Sequence, residues 1–180
     1  MSNYYFVRHG QSLANTKQVH AGSEDDSPLT DKGVHEAVIA GKQANKLDID
    51  YIVSSPQKRA SDTATIIAHA IGYQTDKIVI DNSIRERGLG EGSGKPYGWL
   101  ESFAEYDEIP GLEVTIEVKK RVEHFIEELK KIKAKNILIV SHLGVYRMLD
   151  TLLHGEPASS WLNKERADNA RIIKINLSNE

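Results

Sequence analysis

Apolar residues along the chain fall into short runs of two kinds, and their alternation predicts the architecture. Tyr4-Tyr5-Phe6-Val7, Tyr51-Ile52-Val53-Ser54, Ile78-Val79-Ile80 and Ile137-Leu138-Ile139-Val140 are short and rich in aromatic or β-branched residues, which predicts strands. The last of these is apolar without a break, as suits a strand buried on both faces. Ile173, Ile175 and Leu177 alternate with Lys174 and Asn176, predicting a final strand at or near a sheet edge. Between the strands, apolar positions recur at helical spacing. Val34, Ala37, Val38, Gly41 and Ala44 predict an amphipathic helix over residues 31–46, with Thr30 as its N-cap. Ala60, Ala64, Ile67, Ala68 and Ile71 predict a second helix behind Ser55-Pro56, with the proline in its first turn and Gly72 as its stop. Val114, Val118, Val122, Phe125, Ile126 and Leu129 predict a long third helix, closed by lysines that complement the negative end of its dipole. A fourth follows from about Val145 to Leu153.

This order, β-α-β-α-β-loop-α-β-α-β, predicts an α/β fold: a three-layer α/β/α sandwich with a largely parallel central sheet. No repeat, low-complexity tract or linker interrupts it, so residues 1–180 are read as a single domain. The pattern weakens at Thr16 to Ser27, which reads as a loop, and again over residues 81–112, a loop or lid insertion. Gly88, Gly90, Gly92 and Gly94 suit either a backbone close to a ligand or a mobile connection. Trp99, Phe103 and Tyr106 suggest a lid or a small satellite core.

Composition narrows the chemistry. With 39% hydrophobic residues in 180, the chain can bury a substantial core. A net charge of -3 gives no general basic excess, so neither nucleic acid nor an anionic membrane is the default partner. Cysteine is absent, which excludes disulfide scaffolds, thiolate metal sites and cysteine nucleophiles. No apolar run approaches the ~18 residues of a membrane span, and Arg8-His9 cut short the N-terminal one, so a cytoplasmic protein is expected.

The candidate chemistry sits where strands end. Arg8 and His9 follow the first strand, Ser141-His142-Leu143-Gly144 closes the fourth, and Arg59 falls in the first turn of the second helix. Parallel strand ends and the helix starts behind them share one edge of an α/β sheet, so these side chains can converge although far apart in sequence. Two guanidiniums and two imidazoles form a cage for a group of charge about -2 through charge-assisted bonds. Nearby helix N-termini would add backbone donors. Such a cage suggests phosphoryl transfer, with an imidazole as nucleophile or proton carrier. No H-x-H or H-x-x-x-H pair occurs, and no metal is assigned to these histidines. His20, His35, His69, His124 and His154 lack a partnering pattern and are read as surface or helix-packing residues. Lys95, Arg85 and Arg87 read as solvated charges, although lying beside Glu86 they could share in binding a second anionic group.

Arg8-His9-Gly10-Gln11-Ser12-Leu13-Ala14-Asn15 resembles the R-H-G-[EQ]-[ST]-x-x-N signature of the histidine phosphatase superfamily, which includes the cofactor-dependent phosphoglycerate mutases. The resemblance continues through Leu29-Thr30-x-x-Gly33, Ser54-Ser55-Pro56-x-x-Arg59-Ala60-x-x-Thr63-Ala64, Arg85-Glu86 with Gly90 and Gly94, and Val140-Ser141-His142-x-Gly144. It implies a phosphoglycerate mutase-like fold and a role for each matching residue. His9 would be the nucleophile that becomes phosphohistidine, and Arg8, Arg59 and His142 would hold the equatorial oxygens. Glu86 would be the general acid on the leaving oxygen and later the base for water. Asn15, Gln11, Gly22 and the backbone N–H of Leu143 would contact phosphate or substrate, whereas Ser55 would shape the turn before Arg59. Two departures stand out: His142-Leu143-Gly144 replaces the family's common H-G-G, and Pro110-Gly111-Leu112-Glu113-Val114 lacks the serine of P-x-G-E-S.

The expected activity is that of a phosphomonoesterase acting through phosphohistidine on a small phosphorylated metabolite, with no metal or other cofactor. Phosphoglycerate mutase-type transfer and a non-catalytic phosphate or phosphoprotein binder are the alternatives. At 180 residues the chain has little room for the insertions that shield a mutase's phosphohistidine, which favours hydrolysis. Retention of both nucleophile and acid argues against a mere binder. The substrate's identity and the oligomeric state are not set by the sequence.

Overall fold

A computed structural model describes residues 2–100 and 108–177. Its centre is a five-stranded sheet of β1 (Asn3–Arg8), β2 (Tyr51–Ser54), β3 (Val79–Ile80), β4 (Asn136–Ser141) and β5 (Ile172–Ile175), in the order β3-β2-β4-β1-β5. All neighbours pair in parallel except β5, which runs antiparallel to β1 at the sheet edge. The helices are α1 (Leu13–Lys17), α2 (Asp31–Ala44), α3 (Lys58–Ala70), α4 (Thr115–Lys131) and α5 (Leu143–Leu153).

Strand residues alternate between two cores, as the pleat requires. Phe6, Val53, Ile137 and Ile139 pack on one face with Val118, Val122 and Phe125 of α4 and Val145 and Met148 of α5. Tyr5, Val7, Ile52, Leu138 and Val140 pack on the other with Ala40 and Ala44 of α2 and Ala64, Ile67 and Ala68 of α3. The expected three layers and largely parallel sheet are thus present, and β4, central and buried throughout, is the strand with the unbroken apolar run.

Local expectations differ from the structure at three places. Val34 is exposed rather than buried, because α2 turns Gly33, Ala37, Ala40, Gly41 and Ala44 inward instead. Small residues are needed there, since a Cβ on Gly41 would lie 2.4 Å from the Ala70 Cβ. Pro56 precedes the N-cap Gln57 and so stands outside α3 rather than in its first turn. The pattern also missed α1, a five-residue helix fixed by reciprocal capping between Ser12 and Asn15.

Thr30 caps α2 by accepting the Gly33 N–H, as expected. Gly72, with φ near +70°, takes the left-handed conformation that stops α3. Within residues 81–112, Asn82–Ile84 and Gly90–Gly92 each form a single 3-10 turn. Leu89, Ile109 and Leu112 bury a small satellite core against Trp99 and Leu100. Phe103 and Tyr106, named above with Trp99 for a lid or a small satellite core, lie outside the described residues.

Candidate active site

Strand register builds the site. β1 and β4 pair with Arg8 opposite Ser141, so the residues that follow, His9 and His142, emerge side by side. Their ring centroids are 5.2 Å apart, close to one inter-strand spacing. β2 pairs with β4 on the other side, Ser54 opposite Val140, and delivers Ser55 to the same edge. The His9 N–H donates to Ser141 O at 2.9 Å and the Ser55 N–H to Val140 O at 2.9 Å, extending the ladder beyond the strands.

His9 is 3% exposed, and its Nδ1 lies 2.7 Å from Gly10 O. A carbonyl oxygen only accepts, so Nδ1 carries the proton and Nε2 is left with its lone pair. Burial, and then the charges of Arg59 and Arg8, push the His9 pKa well below the ordinary imidazole value. Neutrality at pH 7 is what a nucleophilic imidazole requires. The turn is pinned on both sides: Thr63 Oγ1 accepts the Gly10 N–H at 3.0 Å and donates to Arg59 O at 2.7 Å, while Asn169 Nδ2 donates to His9 O at 2.7 Å.

Both guanidiniums are buried and anchored by neutral carbonyls. Arg59 donates from Nη1 to Asp25 O at 2.6 Å and from Nη2 to Gly22 O at 2.9 Å. Arg8 Nη1 donates to Ala167 O at 3.0 Å. The Nε atoms of both have no hydrogen-bond partner among the described residues. Burial lowers both pKa values, with Glu86 opposing it, and an arginine so shifted still keeps its charge. The cage is therefore positive and fixed in shape. Burial, Arg59 and His9 likewise hold the His142 pKa well below its ordinary value.

Glu86 faces this cage from the 81–112 segment and lines the same cavity of about 360 Å³. Its Oε1 accepts the Arg87 N–H at 2.9 Å, and its Oε2 accepts the Gly144 N–H at 3.3 Å from the first turn of α5. The loop that carries it is clamped by Glu113. That carboxylate accepts from Arg121 Nε at 2.8 Å and Nη2 at 3.0 Å, from Arg85 Nη2 at 2.8 Å and from the Gly88 N–H at 3.1 Å. Burial pushes the Glu113 pKa up, but Arg121, Gly88 and Arg85 outweigh it and the net shift is downward. Arg121 Nη1 also donates to Ser83 O and Arg85 O, both at 2.8 Å. Glu113 is thus tied into the fold although the serine of the resembled motif is missing.

The structure brings Arg8, His9, Asn15, Gly22, Arg59, Glu86 and Leu143 to the cavity wall, with His142 fully buried behind it. Asn15 spends its Oδ1 on capping α1, while its Nδ2 donates to the Tyr97 hydroxyl at 3.3 Å. Gln11 does not line the cavity. Its Oε1 accepts from Thr30 Oγ1 at 3.0 Å and its backbone N–H donates to Glu36, so it holds the loop to the start of α2. Ser55 does more than shape a turn: its Oγ lies 2.6 Å from His142 Nε2. Arg85 pairs with Glu113 outside the cavity, whereas Arg87 is buried in the wall, its guanidinium 5.1 Å from the Trp161 ring. Lys95 lies over Trp99.

The sequence reading missed His20, Arg147, Trp161 and Arg166, all of which line the cavity, and Gln57 beneath it. Arg147 was findable, since it follows Leu143 by four residues on one helix face. Trp161 and Arg166 were not, because they lie in a segment without periodicity. That segment is carried to the site as the chain approaches β5, where the Ala170 N–H bonds Arg8 O at 2.8 Å.

Comparison with known proteins shows the family and the fold. Residues 4–180 match the model of the histidine phosphatase superfamily (branch 1). The protein named "Putative phosphoserine phosphatase 2" of Hydrogenobacter thermophilus is 34% identical over 192 residues, spanning 100% of this chain and 92% of the relative. The "Probable phosphoglycerate mutase GpmB" of Salmonella choleraesuis is 31% identical, spanning 97% of this chain and 85% of its own. Among solved structures, the alpha-ribazole phosphatase of Shigella flexneri superposes with a TM-score of 0.83 at 25% identity, covering 97% of this chain and 90% of its own. With its paired histidines at adjacent strand ends and a family match over nearly its whole length, the chain belongs to the histidine phosphatase superfamily.

Proposed function

We propose that the protein is a metal-independent phosphomonoesterase, acting in the cytoplasm on a small phosphorylated metabolite. His9 Nε2 attacks phosphorus in line, forming the P–N bond as the P–O bond to the alcohol breaks. Glu86 gives its proton to the leaving oxygen, and Arg8, Arg59 and His142 stabilise the equatorial oxygens. Water then attacks the phosphohistidine, Glu86 takes the water's proton, and the P–N bond breaks to release phosphate.

One observation carries this reading. The His9 ring is oriented by the 2.7 Å bond from Nδ1 to Gly10 O, and it is kept neutral by burial between two arginines, so its free lone pair sits inside an anion cage. Among the described residues no group of three or more histidine, aspartate or glutamate side chains could hold a metal ion, and none of the described helices is long and apolar enough to cross a membrane.

The alcohol portion of the substrate would lie against Trp161, Leu162 and Tyr97, with Arg87, Arg147 and Arg166 nearby. This wall suits an alcohol that carries a second anionic group. Two relatives bear names, phosphoserine phosphatase and phosphoglycerate mutase, that point to substrates with a carboxylate beside the phosphate.

A rapid-quench experiment with a panel of labelled phosphoesters, run with and without chelator, tests the proposal. It expects a transient acid-labile phosphoenzyme, released phosphate, no effect of chelator, and loss of both signals in His9→Ala. Label moving to a second hydroxyl would make the protein a mutase. Undiminished turnover in His9→Ala would overturn the reading altogether.

A further inference from the structure

Two buried side chains that the mechanism above leaves unused, Ser55 and Gln57, form a hydrogen-bonded chain to His142. Ser55 Oγ lies 2.8 Å from Gln57 Oε1 and 2.6 Å from His142 Nε2, and Gln57 Oε1 also accepts the Glu86 N–H at 3.0 Å. Each direction along this chain follows from which group owns a proton. The Glu86 N–H can only donate, so the Gln57 atom facing it is the amide oxygen. An amide oxygen can only accept, so the single hydroxyl proton of Ser55 points to Gln57. Ser55 then has only lone pairs to offer His142, and the proton in that contact belongs to Nε2. Neutral His142 is thereby the Nε2–H tautomer, with a bare lone pair on Nδ1. Nδ1 is buried and has no hydrogen-bond partner among the described residues.

We propose that Gln57 and Ser55 are positioning residues that fix His142 as its Nε2–H tautomer, so that the cage takes up a phosphoryl group only together with one proton, bound at His142 Nδ1. The inference rests on the phosphoryl-binding role given to His142 above. With Nε2 committed to Ser55, only Nδ1 can donate to a phosphoryl oxygen, and it must first be protonated. The groups that act on the ring are Arg59 from α3, Arg8 at the end of β1, His9 just beyond it and Arg121 from α4, and with burial they keep the free ring neutral. A bound dianion acts in the opposite direction and favours the imidazolium. No bond other than N–H is made: the proton comes from solvent or from a monoanionic ester, and it leaves with the product.

Inorganic phosphate and ¹⁵N-histidine NMR test this. The work is done in the Glu86→Gln background, so that proton uptake by that carboxylate does not intrude. In the ligand-free parent, His142 should show a bare Nδ1 and a protonated Nε2, and both nitrogens should be protonated once phosphate binds. Affinity for the phosphate dianion should fall roughly tenfold per pH unit between pH 7 and 9, the slope of one linked proton. Gln57→Leu frees the Ser55 hydroxyl to donate to Nε2, so it should reverse the tautomer and flatten that slope. Ser55→Ala should flatten it too, and serves if the first variant folds poorly. A bare Nε2 in the parent, a flat parental slope, or an unchanged slope in both variants would overturn the proposal. If phosphate fails to bind the parent at all, the phosphoryl-site reading falls and this proposal with it. Phosphate binding with a flat parental slope overturns this proposal and leaves the phosphoryl-site reading standing.

Discussion

Replacing Glu86 with glutamine tests the proposed proton-donating step separately from the shape of the site. Glu86 Oε1 accepts the Arg87 N–H at 2.9 Å, and a glutamine oxygen can keep that bond. The glutamine NH₂ would then face the Gly144 N–H, replacing a 3.3 Å contact by two opposed donors. Losing one such bond costs about 1 kcal/mol of stability, so the variant should fold. A positioned general acid contributes roughly 10²–10⁴-fold, equivalent to about 3–5 kcal/mol of barrier. That help is needed only when the leaving oxygen is basic. For an enzyme passing through phosphohistidine, kcat/KM reports the steps up to release of the alcohol and is blind to the later hydrolysis. Glu86→Gln should therefore lower kcat/KM for an alkyl phosphate by about 10²–10⁴-fold, while an aryl phosphate with an acidic phenol loses much less. Steady-state assays of both esters over a pH series decide the matter. Equal losses for the two esters would show that Glu86 acts on something other than the leaving group, and the assigned role would fail.

Three further outcomes are expected. A Cβ on Gly33 would lie 2.1 Å from Gln11 O and 2.8 Å from Gln11 N, both backbone atoms that cannot swing away. Gly33→Ala should therefore cost on the order of 1–3 kcal/mol in denaturant unfolding and reduce turnover by displacing the turn that orients His9. His9 and His142 both have folded pKa values well below the unfolded value near ~6.5. The unfolded chain then binds more protons as pH falls through that value, so the stability present above it is progressively lost. Each ring contributes a slope of up to about 1.4 kcal/mol per pH unit, and unfolding at pH 7.5, 6 and 5 should be less pH-dependent in His9→Asn and His142→Asn. Arg166 is an exposed residue at the cavity wall. Arg166→Ala should raise KM several-fold for phosphoesters bearing a carboxylate and leave kcat, and the KM of uncharged alcohol phosphates, nearly unchanged.

The sequence by itself determined the alternation of strands and helices, because strand burial and helix amphipathicity impose periods of 2 and 3.6 on the residues. It also determined the placing of His9, His142, Arg8 and Arg59 at the ends of elements that a parallel sheet must align on one edge. The break between apolar run and polar pair at Val7-Arg8 and at Val140-Ser141 was a local signal that needed no tertiary contact. Only the folded structure decided that Gln11 turns to Thr30 while Gln57 turns inward to Ser55 and Glu86, since both are polar residues in loops with the same intrinsic choices. It alone carried Trp161 and Arg166 across to the cavity, through pairing between Arg8 and the chain entering β5. Periodicity reports which face of an element is buried. Which distant loop covers a strand end, and which way a hydroxyl proton points beneath it, depends on partners the local sequence does not contain.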